Sequence, residues 1–107
     1  MKLISVVMPP ERLELAKERL AEVQVFRMTA EDVQGVTAGA TEKRLSSEEP
    51  FDAVPMVKLE IAVNENFVTP TLSALAQACG DVRGKIFVMP LEDVIRIRTG
   101  ERGPEAV

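Results

Sequence analysis

The sequence contains no histidine, tyrosine or tryptophan, and it has one cysteine, Cys79. Without histidine, the chain cannot form the Ser-His and Cys-His pairs of nucleophilic catalysis or an imidazole metal site. A lone cysteine cannot close an intrachain disulfide, which fits a reducing compartment. Cys79 falls at a predicted helix end on the inner face, where a structural thiol is expected. Without tyrosine and tryptophan, the chain has few side chains on which single-stranded nucleic acid could stack.

Long apolar runs are also missing, and the charge is mildly acidic. Charges interrupt the N-terminal region from Glu11 onward, and no run approaches the length of a membrane span. We therefore expect no signal peptide and a cytoplasmic protein. A length of 107 residues predicts one domain, 1–107, with a single core. The net charge of −4 argues against a general nucleic-acid-binding surface.

The hydrophobic pattern predicts an α+β fold. Strand-like segments fall at residues 3–8, about 25–35, 57–63, 86–89 and 94–98, and amphipathic helices at about 11–23 and 64–80. In the second helix, Val68, Leu72, Leu75, Ala76 and Cys79 are predicted to face inward, with Pro70 in the first turn. Asn64 is expected to cap its start, and Gly80 its end. The order β-α-β, long loop, β-α-β predicts a ferredoxin-like fold, with one antiparallel sheet and two helices on one face.

Residues 36–54 lack a clean period and are predicted to form a long loop. The segment is rich in small, polar and charged residues. Loops of this length in small domains are usually functional or disordered.

A basic pattern near the C-terminus suggests anion binding. Alternation over residues 94–98 predicts a strand with Arg96 and Arg98 on one face, about 6–7 Å apart. Two guanidinium groups on one face suit a phosphate chain or carboxylates. Lys85 follows Gly84, where backbone can approach a ligand closely. A solvated basic face balanced by nearby acidic residues is the alternative, and the tail after Gly100 is expected to be loose.

The same region carries a family resemblance. Gly-Lys-Ile-Phe-Val at 84–88, followed by Val-Ile-Arg-Ile-Arg-Thr-Gly-Glu-Arg-Gly at 94–103, resembles the C-terminal signature of the PII signalling proteins. Similar residues recur at 1–4, 20–23, 28–35 and 58–61. The resemblance implies a homotrimer that binds adenine nucleotide (ADP, AMP or ATP) in the clefts between subunits. We expect no covalent cofactor and no metal site.

The resemblance also implies site residues. Those matching positions that line the adenosine pocket are Thr29, Gly35, Glu60 and Val63. Those matching positions that contact phosphates are Gly84, Lys85, Arg96 and Arg98. Glycines admit backbone donors to phosphate, and the basic side chains neutralise it. An ordinary exposed strand residue remains the alternative for Glu60, and Arg83 is a candidate for binding a small anion beside the nucleotide.

Three departures from the family pattern bear on the ligand. Ala38 and Gly39 stand where the family has an arginine and the glutamine that helps bind Mg-ATP and 2-oxoglutarate. The loop has no tyrosine to be uridylylated, and the segment 79–85 is shortened. In these respects the chain resembles the divergent PII-like proteins associated with carboxysomes and bicarbonate transporters, which bind ADP or AMP and respond to bicarbonate.

The resulting expectation is a signalling protein and not an enzyme. Nucleotide occupancy would select a conformation of residues 36–54, which would dock on a membrane transporter or a metabolic enzyme and so recruit the protein to a membrane. One alternative is an ordinary nitrogen-regulatory PII protein that responds to ATP and 2-oxoglutarate. Another is a slow nucleotide hydrolase, in which Glu60 is the only plausible catalytic carboxylate. A structural trimer without a ligand is the third.

Overall fold

The fold is one four-stranded antiparallel sheet with two helices. A computed structural model describes residues 1–38, 51–80, 82 and 84–107. The strands are β1 (Lys2–Met8), β2 (Thr29–Ala38), β3 (Phe51–Val63) and β4 (Ile86–Pro90), and the helices are α1 (Leu13–Glu22) and α2 (Glu65–Cys79). The spatial order is β2-β3-β1-β4, with every neighbouring pair antiparallel. This topology confirms the predicted ferredoxin-like α+β fold. Within the described residues, no helix has the length and apolar character needed to cross a membrane.

The core lies between one face of the sheet and both helices. Alternate residues of β1 and β3 are at most 4% exposed: Ile4, Val6, Met8, Val57, Leu59, Ile61 and Val63. They form one cluster with Ala16 and Leu20 of α1 and with Ala74, Leu75 and Ala78 of α2. Each large side chain buried in this way contributes about 1.5–3 kcal/mol. The opposite face of the sheet carries no helix in the described part of the chain.

The inner face of α2 matches the predicted one except at Ala76: Leu75 is buried, and Val68, Leu72 and Cys79 are partly buried and pack against the core. The buried residues are Thr71, Ala74, Leu75 and Ala78, at helical spacing, whereas Ala76 is exposed. The prediction followed the larger apolar side chains. The observed stripe is mostly small because α2 packs against α1 as well as the sheet.

Both predicted features at the start of α2 also need correction. Pro70 is the sixth residue of the helix, beyond the predicted first turn. Asn64 precedes the helix with extended backbone but makes no capping hydrogen bond through its side chain. Its amide nitrogen instead donates to the carbonyl oxygen of Pro104 at 3.0 Å, which ties the C-terminal segment to the start of α2.

Thr71 supports a stability prediction. Its Oγ1 atom is buried and has no hydrogen-bond partner among the described residues. Thr71→Val replaces the hydroxyl with a methyl of similar shape, so we expect the free energy of unfolding to rise by about 1 kcal/mol. Chemical denaturation checks this, with Thr71→Ser as the control that keeps the hydroxyl and loses stability. An unchanged or lower stability for the valine variant would show that the hydroxyl is satisfied in solution.

The ribbon formed by β2 and β3 corrects two predicted boundaries. Strand β2 begins at Thr29, later than predicted, because the backbone N–H of Val25 donates to the carbonyl of Leu20 at 2.9 Å and closes the end of α1. The ribbon then continues to a pair between Ala38 and Phe51. The predicted loop 36–54 was therefore wrong at both ends: residues 36–38 and 51–54 are strand, and residues 39–50 lie outside the described residues.

The C-terminal prediction was wrong in a different way. Residues 94–98 are not a strand of the sheet; Ile95 makes one isolated bridge, to Arg102. The N–H of Arg96 donates to the carbonyl of Glu101 at 2.9 Å, so the segment folds back on its own tail. That tail ends in a 3-10 helix, Gly103–Ala106, with Ala106 buried, and is not loose. Both isoleucines of the alternating pattern are exposed, and the two arginines share no strand face.

Candidate functional site

One cavity lies where β3 ends and α2 begins. Its volume is about 360 Å³. Val63 and Arg96 both line it, together with Asn64, Phe67 and the segment 24–27 that precedes β2. Arg96 is half-buried, and its Nε atom donates to the carbonyl oxygen of Ala106 at 3.2 Å. The cavity therefore combines apolar walls with a guanidinium group that is held by backbone.

A second, smaller cavity contains Gly84 and Lys85. Its volume is about 170 Å³, and the ends of β1 and α2 form its walls. Lys85 is exposed and makes no ion pair with any described residue. A side chain at position 84 would come within 3.7 Å of the Val7 carbonyl oxygen. Cys79 also lines this cavity, and burial raises the pKa of its thiol, which favours the protonated, unreactive form.

The two cavities lie at opposite ends of the sheet. Val63, which lines the larger cavity, pairs with Lys2 at the start of β1. Lys85 lines the smaller cavity together with Val7, near the end of β1. The seven residues of β1 span roughly 20 Å. A single protomer therefore does not bring Lys85 and Arg96 to one phosphate chain.

Thr29 and Glu60 lie on the face of the sheet that carries no helix. They are directly paired across β2 and β3, so their side chains share a face. A carboxylate oxygen of Glu60 lies 3.0 Å from the Nζ atom of Lys58. The hydrogen bond to Glu60 is the main cause of a raised pKa for Lys58. Glu60 is thus already engaged by a cation, which suits a positioning role better than that of a free base.

Of the two predicted site glycines, Gly35 has closer surroundings than Gly84. It lies in β2 opposite Val54, and an added Cβ would meet Cγ of Met56 at 3.0 Å. The glycine therefore allows close packing within the ribbon. Arg98 is exposed at the turn 97–99, and Arg83 lies outside the described residues.

A C-terminal hook, residues 93–106, carries Arg96 and Arg98. Asp93 Oδ2 accepts a hydrogen bond from Arg102 Nε at 2.8 Å, and its Oδ1 accepts from the N–H groups of Val94 and Gly103. The bonds from Arg102 and these backbone groups hold the pKa of Asp93 below its usual range. Sequence reasoning treated Asp93 only as a balancing surface charge. Its spacing of nine residues from Arg102, with glycines between and after, is a signal that could have indicated a closed turn.

The described residues offer no group of three or more Asp, Glu or Cys side chains arranged to hold a metal ion. The site as described is instead a set of basic side chains at two ends of a ferredoxin-like subunit. Such a subunit can bind anions, and its fold belongs to many functional classes.

Comparison with known proteins identifies the class. The family described as "Nitrogen regulatory protein P-II" matches residues 1–101. The chain is 42% identical to nitrogen regulatory protein GlnK1 of Methanosarcina mazei, with 100% of this chain and 97% of that protein covered. It is 38% and 37% identical to nitrogen regulatory proteins P-II of Azospirillum brasilense and Rhodospirillum rubrum, with full coverage of each chain. The chain belongs to the PII family, whose members are signalling regulators and for which a homotrimer is the expected assembly.

Proposed function

We propose that this protein is a PII-type sensor that binds adenine nucleotide in the clefts between subunits of a homotrimer. Occupancy of the clefts sets the state of the segment that joins β2 to β3, and this segment regulates a membrane transporter or a metabolic enzyme. The protein acts in the cytoplasm and reaches the membrane by binding a transporter. We propose that it works by binding and not by catalysis, because members of the PII family are signalling regulators.

The separation of Lys85 from Arg96 is the observation that carries this proposal. Both are basic, both line cavities, and neither pairs with a carboxylate among the described residues. If the end of the sheet that carries Lys85 in one protomer packs against the end that carries Arg96 in its neighbour, both basic side chains contact a single ligand. The interface is then heterologous, and such interfaces generate rings when the rotation closes.

The helix-free face of the sheet favours such an assembly. Large apolar side chains lie on it: Leu3, Val7, Val33, Met56, Phe87 and Met89. Phe87 is 54% exposed and Met89 40% exposed. Apolar patches of this kind usually mark protein interfaces. We propose that the sheets of the three subunits pack together through this face.

We propose bicarbonate as the small co-ligand and ADP or AMP as the preferred nucleotides. The support is in the sequence, where Ala38 and Gly39 replace residues that the family uses for Mg-ATP and 2-oxoglutarate. The related proteins are named nitrogen regulatory proteins, which favours a second candidate, a nitrogen sensor. In this second candidate, ATP and 2-oxoglutarate are the proposed ligands.

Calorimetric titration separates the two candidates. ATP, ADP and AMP are titrated into the purified protein, each with and without bicarbonate or 2-oxoglutarate. We expect ADP or AMP binding that depends on bicarbonate and is indifferent to 2-oxoglutarate. ATP binding strengthened by 2-oxoglutarate would establish the second candidate. A protein that binds no nucleotide would contradict both.

The connecting segment can be tested by excision. Because Ala38 and Phe51 are directly paired, residues 39–50 can be replaced by Asn-Gly, which favours a tight hairpin turn. We expect nucleotide affinity to change by less than about twofold, because the ribbon itself is retained. Capture of the transporter or enzyme partner should be lost. A parallel loss of nucleotide affinity would contradict separate sensing and output parts.

A further inference from the structure

Charge pairing singles out one basic residue that neither the sequence pattern nor the resemblance assigned. Among the described residues, Arg12 has a partner, and the following basic side chains are ion-paired: Lys2, Lys17, Arg19, Lys58 and Arg102. Four make no ion pair there: Arg27, Lys85, Arg96 and Arg98. Three of these four are the predicted phosphate ligands, and the fourth is Arg27. In a chain with 17 acidic residues, an unpaired guanidinium is available to bind an external anion.

Arg27 lines the same cavity as Arg96. The two approach it from different elements, Arg27 from the segment before β2 and Arg96 from the C-terminal hook. No Asp or Glu side chain of the described residues lines this cavity. Val107, the last residue of the chain, also lines the cavity. Two guanidinium groups that line one cavity whose walls carry no Asp or Glu side chain among the described residues suit a single oxyanion.

The backbone that carries Arg27 is fixed on its N-terminal side. Val25 is buried, and its N–H donates to the Leu20 carbonyl. Gln24 adopts a positive φ of 67°, and its N–H donates to the Ala21 carbonyl at 3.0 Å. Phe26, which is 67% exposed, lines the cavity beside Arg27. An exposed aromatic ring next to a cation offers a face for a base and a charge for a phosphate.

We infer that Arg27 is a further anion-binding residue of the nucleotide cleft and that it holds, with Arg96, one oxyanion of the ligand. This oxyanion is either a phosphate of the nucleotide or a separate small oxyanion such as bicarbonate. The inference rests on the proposed function and adds a residue and a contact to it.

Titration of Arg27→Ala and Arg27→Gln with adenosine, AMP and ADP tests the inference. If the anion is a nucleotide phosphate, AMP and ADP bind about tenfold or more weakly to both variants, while adenosine binding is unchanged, because only the charged contact is lost. If the anion is bicarbonate, both variants bind ADP in the absence of bicarbonate as tightly as the unmodified protein does. The increase in ADP affinity that bicarbonate causes in the unmodified protein is then lost in both variants. Arg19→Ala is the matched control, because Arg19 is a half-buried arginine of α1 whose partner is Glu22 at 2.7 Å.

Three results would overturn the inference. In the first, both variants bind AMP, ADP and bicarbonate as the unmodified protein does. In the second, adenosine binding weakens as much as AMP binding, which would place Arg27 against the base or sugar. In the third, the unmodified protein binds no nucleotide, and the proposed function then fails with it. The first two results leave the proposed function standing, so the two failures are distinguishable.

Discussion

Lys85→Ala and Arg96→Ala should each abolish most nucleotide binding, and mixing the two variants should restore part of it. Each substitution removes a charged contact to phosphate, so we expect affinity to fall roughly ten- to a hundredfold. In a mixed trimer, one cleft receives Lys85 from an Arg96→Ala subunit and Arg96 from a Lys85→Ala subunit. That cleft is intact, although neither protein alone contains one.

The size of the rescue follows from ring geometry. After random reassembly of equal amounts, about three quarters of the trimers contain both variants, and one cleft in three of each is intact. About one quarter of all clefts should therefore bind with the original affinity. Calorimetry on co-refolded, differently tagged subunits measures this fraction as a binding stoichiometry.

The matched control is Lys17→Ala, because Lys17 is an exposed lysine that pairs with Glu14 at 3.0 Å, remote from both predicted phosphate ligands in sequence. Mixing this variant with Arg96→Ala should yield intact clefts wherever the Arg96 position is filled by a Lys17→Ala subunit. Absence of any rescue between the Lys85 and Arg96 variants would mean that both residues act within one protomer, which the two ends of the sheet argue against.

The sheet and its helices could be predicted because burial of one face leaves a strong pattern. Leu59 and Ile61 alternate with Lys58 and Glu60, and a one-residue slip would expose the whole apolar set. The same alternation misled at residues 94–98. Alternation of apolar and polar residues shows which side chains share a face of an extended chain. It does not show whether that chain pairs with a neighbouring strand in a sheet. Here Gly100 and Gly103, with φ of 75° and 77°, turn the chain back on itself.

The candidate site could be predicted by residue type but not by place. Lys85 and Arg96 stand out in the sequence as basic residues beside glycine or apolar positions. Their placement at opposite ends of the sheet depends on the register of β1 with β3 and β4, and no local pattern encodes that register. Arg27 was missed for a related reason: it becomes notable only when the fold brings the segment before β2 next to the C-terminal hook.

Breaking the contact between Asp93 and Arg102 should weaken nucleotide binding without touching the ligand. Asp93 accepts hydrogen bonds from Arg102 and from two backbone N–H groups, and these close the hook that carries Arg96. An open hook must be ordered again when the ligand binds, and that entropy cost is subtracted from affinity. We expect Asp93→Asn to bind nucleotide about tenfold more weakly at neutral pH.

The lowered pKa of Asp93 fixes the direction of the pH dependence. A carboxyl group whose pKa is depressed in the folded protein stabilises the fold above its ordinary value of 3.8. This contribution is lost as the pH falls through the depressed value. Asp93→Asn imitates the protonated state, so its hook should stay loosened at every pH, whereas the unmodified hook should loosen only in acid.

Hydrogen exchange of the backbone amides in residues 94–103 provides the structural readout for Asp93→Asn. We expect faster exchange there at neutral pH, with β1 and β3 unchanged. Glu92→Gln is the control, because Glu92 is an exposed neighbour without an ion-pair partner among the described residues. Faster exchange with unchanged nucleotide affinity would show that the hook need not be ordered for Arg96 to bind. Weaker nucleotide binding with unchanged exchange would instead place Asp93 in direct contact with the ligand.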